Sequence, residues 1–313
     1  ASLWKNRCTT KLIIDFAGFL SINVFNKGVS VQQRIITALI LAPLAIAGIF
    51  FLPLKFFMLF SATIYLLSSR EWAGFVSKIP SGIILFLFGL VLGGTLLLIP
   101  AEQIWSGGKV NGYIIYGLLA ASIWWCISLL MVVSYPSSAK LWQKNKLIKS
   151  VFGLLTLVPL FWAMVVLRSV NIEHDFYFGA ELLMYVFCLV WAADIGAYFC
   201  GKKFGKRKLA PNVSPGKTVE GFLGGVLSAM LVALLGSALF AVPTDKMTLF
   251  LAGSLVTIMV SALGDLSESI FKREAGLKDS GNLLPGHGGI LDRIDSLTAA
   301  VPIFTLIYLF WLT

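Results

Sequence analysis

Apolar runs of about twenty residues recur along the whole chain, which is roughly what a helix needs to cross the hydrocarbon core of a bilayer. Nine candidate spans stand out, at residues 35–52, 53–69, 81–99, 112–133, 149–167, 180–200, 221–242, 249–263 and 295–312. The second is short, because Lys55 and Arg70 close in on it. Hydrophobic residues make up 58% of the 313 and charged residues 13%, with a mean hydropathy of +0.88. That leaves too little polar surface to cover a water-soluble globule of this size. The expected fold is an all-α polytopic membrane protein of about nine transmembrane helices.

Charge in the connections tests that count independently, because Lys and Arg accumulate in cytoplasmic loops. Every second connection is basic. The basic sets are Arg70 and Lys78, then Lys140, Lys144, Lys146 and Lys149, then Lys202, Lys203, Lys206, Arg207, Lys208 and Lys217, then Lys272, Arg273, Lys278 and Arg293. The intervening connections hold Lys55, Lys109, Arg168 and Lys246. This alternation puts the N-terminus in the cytoplasm and the C-terminus outside, and eight or ten spans would break it. The net charge of +10 then sits on one membrane face, where it attracts anionic headgroups or anionic soluble substrates. Topology alone accounts for most of these cations, and no nucleic-acid partner is expected. It does not account for their mixing with acids and glycines in the last two cytoplasmic loops.

Cys8, Cys126, Cys188 and Cys200 have no metal-ligand spacing and read as buried small residues without disulfides. Residues 1–32 form a separate extension. Their apolar run, 12–25, is too short to span and is broken by Asp15, and no small-residue cleavage site follows. An interfacial helix and a segment outside the native fold are the two readings. Residues 33–313 show no repeat or linker and read as one transmembrane domain, its catalytic part at about 180–313.

Acids are absent from the spans before residue 180, whereas Glu181 and Asp194 lie in the sixth and Asp265 closes the eighth. An ionisable group at membrane depth is costly and marks a functional site by default. In GDLSESIFKR, residues 264–273, Asp265, Glu268, Ser269 and Lys272 share one helix face if the eighth helix runs on past the membrane edge. A solvated amphipathic face has the same periodicity. The next stretch, GLKDSGNLLPGHGGILDRID, supplies Gly276, Gly281, Gly286, Gly288 and Gly289, which permit positive φ and a backbone wrapped around an anion. Pro285 and His287 punctuate it, and Asp292 and Asp295 sit at the mouth of the ninth helix, where the dipole favours carboxylates. The plain reading is a tight loop with an acidic helix start. The functional one is a cage for Mg²⁺ and phosphates between two carboxylate-bearing helix ends.

SPGKTVEG, residues 214–221, gives a second anion feature, with Ser214 as N-cap, Pro215 at the first helical position and Lys217 in the first turn. Gly216, Lys217 and Thr218 look like the end of a P-loop, but Pro211 stands where that motif needs glycine, so a Walker motif is rejected. In WAADIGAYFCGKKFGK the small residues Gly196, Ala197 and Gly201 suit close helix packing. Asp194, in the same stretch, bonds a neighbouring helix or joins the site. Glu71 and Trp72 carry a weaker signal, and Trp72 reads as an interfacial anchor.

Together these residues resemble the bacterial phosphatidate cytidylyltransferase, or CDP-diacylglycerol synthase, family. The carriers are SIFKREAGLKDSGNLLPGHGGILDRID, residues 269–295, then WAADIGAYFCGKKFGKRKLAPNVSPGKTVEGF, and more loosely QRIITALILAPL near Gln33. The resemblance covers roughly residues 33–313. It implies Mg²⁺-dependent transfer of CMP from CTP to phosphatidic acid at the cytoplasmic face of the inner membrane, releasing pyrophosphate. It assigns the metal-binding carboxylates to Asp265 and Asp292, and further signature positions to Ser269, Lys272, Lys278, Asp279, His287, Arg293 and Asp295. A homodimer and a second cation such as K⁺ are implied by the family alone. On this reading Lys272, Arg273 and Lys278 neutralise pyrophosphate, while Lys217 and the N–H groups after Ser214 hold a phosphate of CTP or of the lipid. His287 either donates to a phosphate oxygen or stabilises its turn. A transporter is the alternative from another class, and a CTP-dependent transferase acting on another lipid phosphate or a polyprenol is the alternative among enzymes. The acids crowd one edge and no half-structure repeats, which argues against transport.

Overall fold

The computed structural model describes residues 31–77, 82–106 and 108–312. Helix α1 spans Val31–Phe51, α2 Leu54–Val76, α3 Gly82–Leu98, α4 Gly112–Val133 and the short α5 Ala139–Trp142. Then follow α6 at Lys146–Ser169, α7 at Phe178–Phe204, α8 at Val219–Leu239, α9 at Thr244–Ala275 and α10 at Leu291–Ile307. Two small antiparallel hairpins interrupt the helices: β1 (Trp105–Ser106) with β2 (Lys109–Val110), and β3 (Lys208–Ala210) with β4 (Ser214–Thr218).

Among the described residues, the expected apolar runs lie on helices, and six of these helices are long and apolar enough to cross a membrane: α4, α6, α7, α8, α9 and α10 with its continuation to Phe310. Helix α3 is apolar but only 17 residues long, and α2 carries the polar Ser68–Ser69–Arg70–Glu71 before its last turn, Trp72–Val76. The residues 1–30 of the expected extension lie outside the described residues.

Helix α6 forms the centre, with an unbroken buried run from Pro159 to Ser169. Hydroxyls bond across this apolar interior, Trp124 Nε1 donating to Thr156 Oγ1 at 3.0 Å and Ser128 Oγ to Ser267 Oγ at 2.8 Å. At the opposite end from the acids, Arg168 is fully buried and donates to the carbonyls of Ile49, Leu52 and Phe176, which ties the α1–α2 turn to the α6–α7 loop. On α8, Leu223, Leu227, Leu231 and Leu235 form an exposed stripe at helical spacing. Such a stripe is stable against hydrocarbon, not against water.

Helices α7 and α8 meet through small residues. A Cβ on Gly225 would lie 2.5 Å from the Ala193 carbonyl oxygen, and one on Gly196 would strike Ser228 and the Gly224 carbonyl. Backbone therefore packs on backbone here, which fixes α8 and the hairpin preceding it against α7.

Three expectations are corrected. Ser214 does not cap a helix: Ser214–Thr218 is strand β4, and Thr218 is the N-cap of α8, its Oγ1 accepting from Gly221 N at 3.1 Å. Pro215 and Lys217 accordingly lie on a strand and not in a first helical turn. Trp72 is not an interfacial anchor. It is 2% exposed, donates from Nε1 to the Lys149 carbonyl, and packs on Phe75 and Phe271. Of the cysteines, Cys126 is exposed, and Cys188 and Cys200 are half-buried.

Replacing Gly225 with Ala should lower the melting temperature in detergent, by roughly 1–3 kcal/mol of overpacking. Gly117→Ala, where nothing lies within 4 Å of the new Cβ, should leave it unchanged or raise it. Equal melting temperatures for the two variants, measured by circular dichroism, would contradict the close α7–α8 packing.

Candidate active site

Helix α9 continues well beyond its apolar stretch and stops at Gly276, whose φ of 70° provides the left-handed C-cap. This extension carries Asp265, Glu268, Ser269, Lys272 and Arg273 out to the edge, on a buried helix that holds their spacing rigid. At Gly264 a Cβ would meet the Asp295 carbonyl oxygen at 2.5 Å, so α9 and the start of α10 are nearly in backbone contact. The acids of the two helix ends are thereby gathered into one place.

The contacts are specific. Lys217 on β4 reaches Asp265, its Nζ 2.5 Å from Oδ2, while Ser269 Oγ lies 3.4 Å from Asp265 Oδ1. Lys272 Nζ donates to Asp292 Oδ1 at 2.8 Å and lies 3.2 Å from Glu268 Oε1. That second contact is ionic only, since both Glu268 carboxylate oxygens are buried without a hydrogen-bond partner. Asp292 Oδ2 accepts three bonds, from Ser280 N and Gly289 N at 2.8 Å and from Ser280 Oγ at 2.9 Å. Asp295 lies within electrostatic reach of Asp265, Lys272, Asp194 and Lys217, and Asp194 within reach of Asp265, Lys217 and Arg293.

The glycine-rich loop folds over this cluster. Gly286 and Gly288 have φ of 79° and 80°, a backbone that ordinary side chains avoid, and they allow the tight return in which Leu284 N donates to Gly288 O at 2.9 Å. His287 is buried in that turn, and its carbonyl accepts from Arg293 Nε and from the guanidinium's second nitrogen at 2.6 Å. Asp279 lies against Gly288. Arg273 is exposed and donates from Nε to the Val213 carbonyl, so the β3–β4 hairpin is tied to α9 at two points, Arg273 and Lys217. Glu220 fixes the other side of that hairpin, accepting from the backbone N–H groups of Lys206 and Arg207.

The structure thus brings together Asp194, Lys217, Asp265, Glu268, Ser269, Lys272, Asp292, Arg293 and Asp295. Lys278 and Gly216 are exposed at the rim, Ser214 is half-buried on the hairpin, and Thr218 spends its hydroxyl on capping α8. Among the described residues no three Asp, Glu, His or Cys side chains form a metal ligand set by themselves. Mg²⁺, however, is usually held by one or two carboxylates together with substrate phosphates. Asp265 and Asp292 fit that pattern: both are hard oxygen donors, each has an oxygen facing a lysine ammonium, and both lie within reach of Lys272. Within this group the five acids Asp194, Asp265, Glu268, Asp292 and Asp295 outnumber the three cations Lys217, Lys272 and Arg293, so carboxyl oxygens are in supply for a divalent ion.

One participant carries only a weak signal in the sequence and a central place in the structure. Glu71, near the C-terminal end of α2, is 5% exposed and accepts from Ile290 N at 3.0 Å and Leu291 N at 2.8 Å, with Ser280 Oγ 3.1 Å away. A signal existed: Glu71 has no cation three or four residues away on its own helix, so its charge needs a distant partner.

The model of the cytidylyltransferase family matches residues 32–311. A phosphatidate cytidylyltransferase of Haemophilus influenzae is 42% identical over 285 residues, which is 89% of this chain and 99% of that one. That of Pseudomonas aeruginosa is 40% identical over 87% of this chain and 95% of its own. One from Staphylococcus epidermidis is 34% identical over 73% of this chain and 91% of its own. The chain that carries this cluster of carboxylates and lysines between two helix ends belongs to the cytidylyltransferase family.

Proposed function

We infer that the protein transfers CMP from CTP to phosphatidic acid, giving CDP-diacylglycerol and pyrophosphate. The observation that carries the mechanism is the convergence of Asp265 with Lys217, and of Asp292 with Lys272, at the closely packed ends of α9 and α10. A phosphatidate oxygen is already an anionic nucleophile. It attacks the α-phosphorus of CTP, the bond from that phosphorus to the bridging oxygen breaks, and pyrophosphate leaves with the electron pair. No proton has to move, so the site needs positioning and neutralisation more than a base.

Asp265 and Asp292 would hold Mg²⁺, which supplies charge neutralisation at the CTP phosphates. Lys272 lies between Glu268 and Asp292 and is held ready to meet developing charge on the leaving group. Arg273 and Lys278, exposed at the rim, suit the outer phosphates. Lys217 stands on the hairpin that reaches over α9, and is the cation best placed to bind one substrate's phosphate independently of Lys272. The Ser269 hydroxyl helps keep Asp265 in its setting, and Asp295 and Asp194 extend the cluster of carboxyl groups along α10 and α7. The short polar end of α2 and the 17-residue α3 are compatible with nine crossings, which would place the N-terminus and the site in the cytoplasm and the C-terminus outside. That orientation presents the site to cytosolic CTP and to phosphatidate of the inner leaflet. A homodimer in the inner membrane belongs to the same proposal.

The direct test is incorporation of label from CTP into chloroform-soluble lipid by purified protein, with phosphatidic acid competing against other lipid phosphates and polyprenol phosphate. A Mg²⁺-dependent product formed from phosphatidic acid is expected, and none would end the reading. Asp265→Asn and Asp292→Asn should each lower kcat at least about a hundredfold while the protein stays monodisperse in detergent. Retained turnover in either variant would contradict the carboxylate assignment. Lys217→Met should raise KM for one substrate by roughly tenfold or more and spare the other, the substrate affected being the one whose phosphate it meets. Unchanged KM for both would remove Lys217 from the site.

A further inference from the structure

We propose that Glu71 is a positioning residue that sets the place of Asp292 from outside the loop and helix that carry it. The carboxylate of Glu71 does two things at once. It caps α10, taking the N–H groups of Ile290 and Leu291, which no residue of α10's own start satisfies: its N-cap, Ile290, has no side chain able to accept. It also meets Ser280 Oγ, which lies 3.1 Å from Glu71 Oε2 and 2.9 Å from Asp292 Oδ2. Two carboxylates thus share one hydroxyl, and the Ser280 backbone N–H adds a further bond to Asp292.

The support beneath Glu71 is rigid. Its neighbour Trp72 is buried, bonded to the Lys149 carbonyl and packed on Phe271 of α9, so the end of α2 is locked to α6 and α9. The loop is shaped to the carboxylate as well. A Cβ on Gly281 would lie 2.6 Å from Glu71 Oε1, and one on Gly289 would strike both Ser280 Oγ and Glu71 Oε2. Neither glycine has a positive φ, so close approach to Glu71 is what these two positions require. A negative charge at the start of α10 is also favoured by the helix dipole. The chain of contacts runs from the core through Glu71 to Ser280 and the α10 start, and ends on Asp292, whose remaining oxygen holds Lys272.

Only the kinetic readout depends on the cytidylyl-transfer reading; the positioning claim has its own. Purified Glu71→Gln, Glu71→Asp, Ser280→Ala and the Gln–Ala double variant are compared with the unaltered protein. By hydrogen exchange, the Ile290 and Leu291 amides of Glu71→Gln lose protection directly. The decisive amides are Ser280 and Gly289, which bond Asp292 and not Glu71, and they should also exchange faster. If both keep their protection, Asp292 is not positioned by Glu71 and the proposal fails, whether or not the protein is active. In the lipid-incorporation assay, Glu71→Gln should lower kcat at least about tenfold with KM for CTP changed less than twofold, since small misplacement costs turnover before binding. Glu71→Asp should recover part of the loss. The double variant should be no worse than Glu71→Gln alone, because both changes cut one path. A lowered melting temperature with kcat unchanged per folded molecule, or multiplicative losses in the double variant, would overturn the proposal. Should Glu71→Gln fail to fold, Ser280→Ala keeps the helix cap and decides alone: unaltered Gly289 protection in it would sink the link. Absence of labelled lipid from the unaltered protein would instead end the cytidylyl-transfer reading and leave the exchange result standing.

Discussion

A carboxylate at the edge of a hydrocarbon slab persists only if its charge is met by N–H groups, hydroxyls or ammonium ions. Everything at this site follows from how that demand is satisfied. Asp292 takes two backbone N–H groups on one oxygen and Lys272 on the other, Glu71 takes two helix N–H groups, the single Ser280 hydroxyl lies between these two carboxylates, and Asp265 takes Lys217. Each donor set comes from a different part of the chain, so satisfying the charges also closes the tertiary structure: α2 to α10, α9 to α10, and the β3–β4 hairpin to α9.

The same demand explains the division between the two ends of the bundle. At the far end the one buried cation, Arg168, is met by carbonyls of neighbouring loops and by the Phe176 ring, with no acid involved. Those bonds use one hydrogen on each of the three guanidinium nitrogens. At the near end, acids outnumber cations, and Glu268 keeps both oxygens without hydrogen bonds. A crowd of carboxyl groups beside ammonium groups is a poor place for a nucleotide alone and, on the proposed reading, a good one for a nucleotide carrying a divalent ion.

Much of this was legible in the residues, because hydropathy and charge act locally. Apolar length fixed where the helices lie, and the i, i+3, i+4, i+7 spacing of Asp265, Glu268, Ser269 and Lys272 placed them on one face of a helix that does run past its apolar part. Other features depended on contacts that no spacing reveals. Ser214, Pro215 and Gly216 have the local chemistry of a helix start, yet pairing of Lys208 with Thr218 and of Ala210 with Ser214 draws them into a strand and delays the cap to Thr218. Trp72 has the composition of an interfacial anchor, but its indole N–H finds the Lys149 carbonyl, and burial against the rings of Phe75 and Phe271 outweighs the interface. Glu71 was legible only as a charge without a local partner.

The glycine-rich loop shows how one local inference can fit more than one kind of anion. Its composition says that backbone wraps closely around an anion, and it does. The anions it encloses in the described structure belong to the chain: Gly289 N, Ile290 N and Leu291 N turn inward to Asp292 and Glu71. Three consecutive N–H groups at a helix start are the usual equipment for gripping a phosphate. Here they are already occupied by the chain's own carboxylates, so on the proposed reading phosphate recognition falls on the side chains around them, Lys217, Lys272, Arg273 and Lys278. A site that uses its best anion-binding backbone to fix its own acids gives up some substrate affinity in return for acids that do not move as charge shifts across the phosphates. In a reaction that depends on prepared electrostatics, with no proton to transfer, that rigidity acts on the transition state directly.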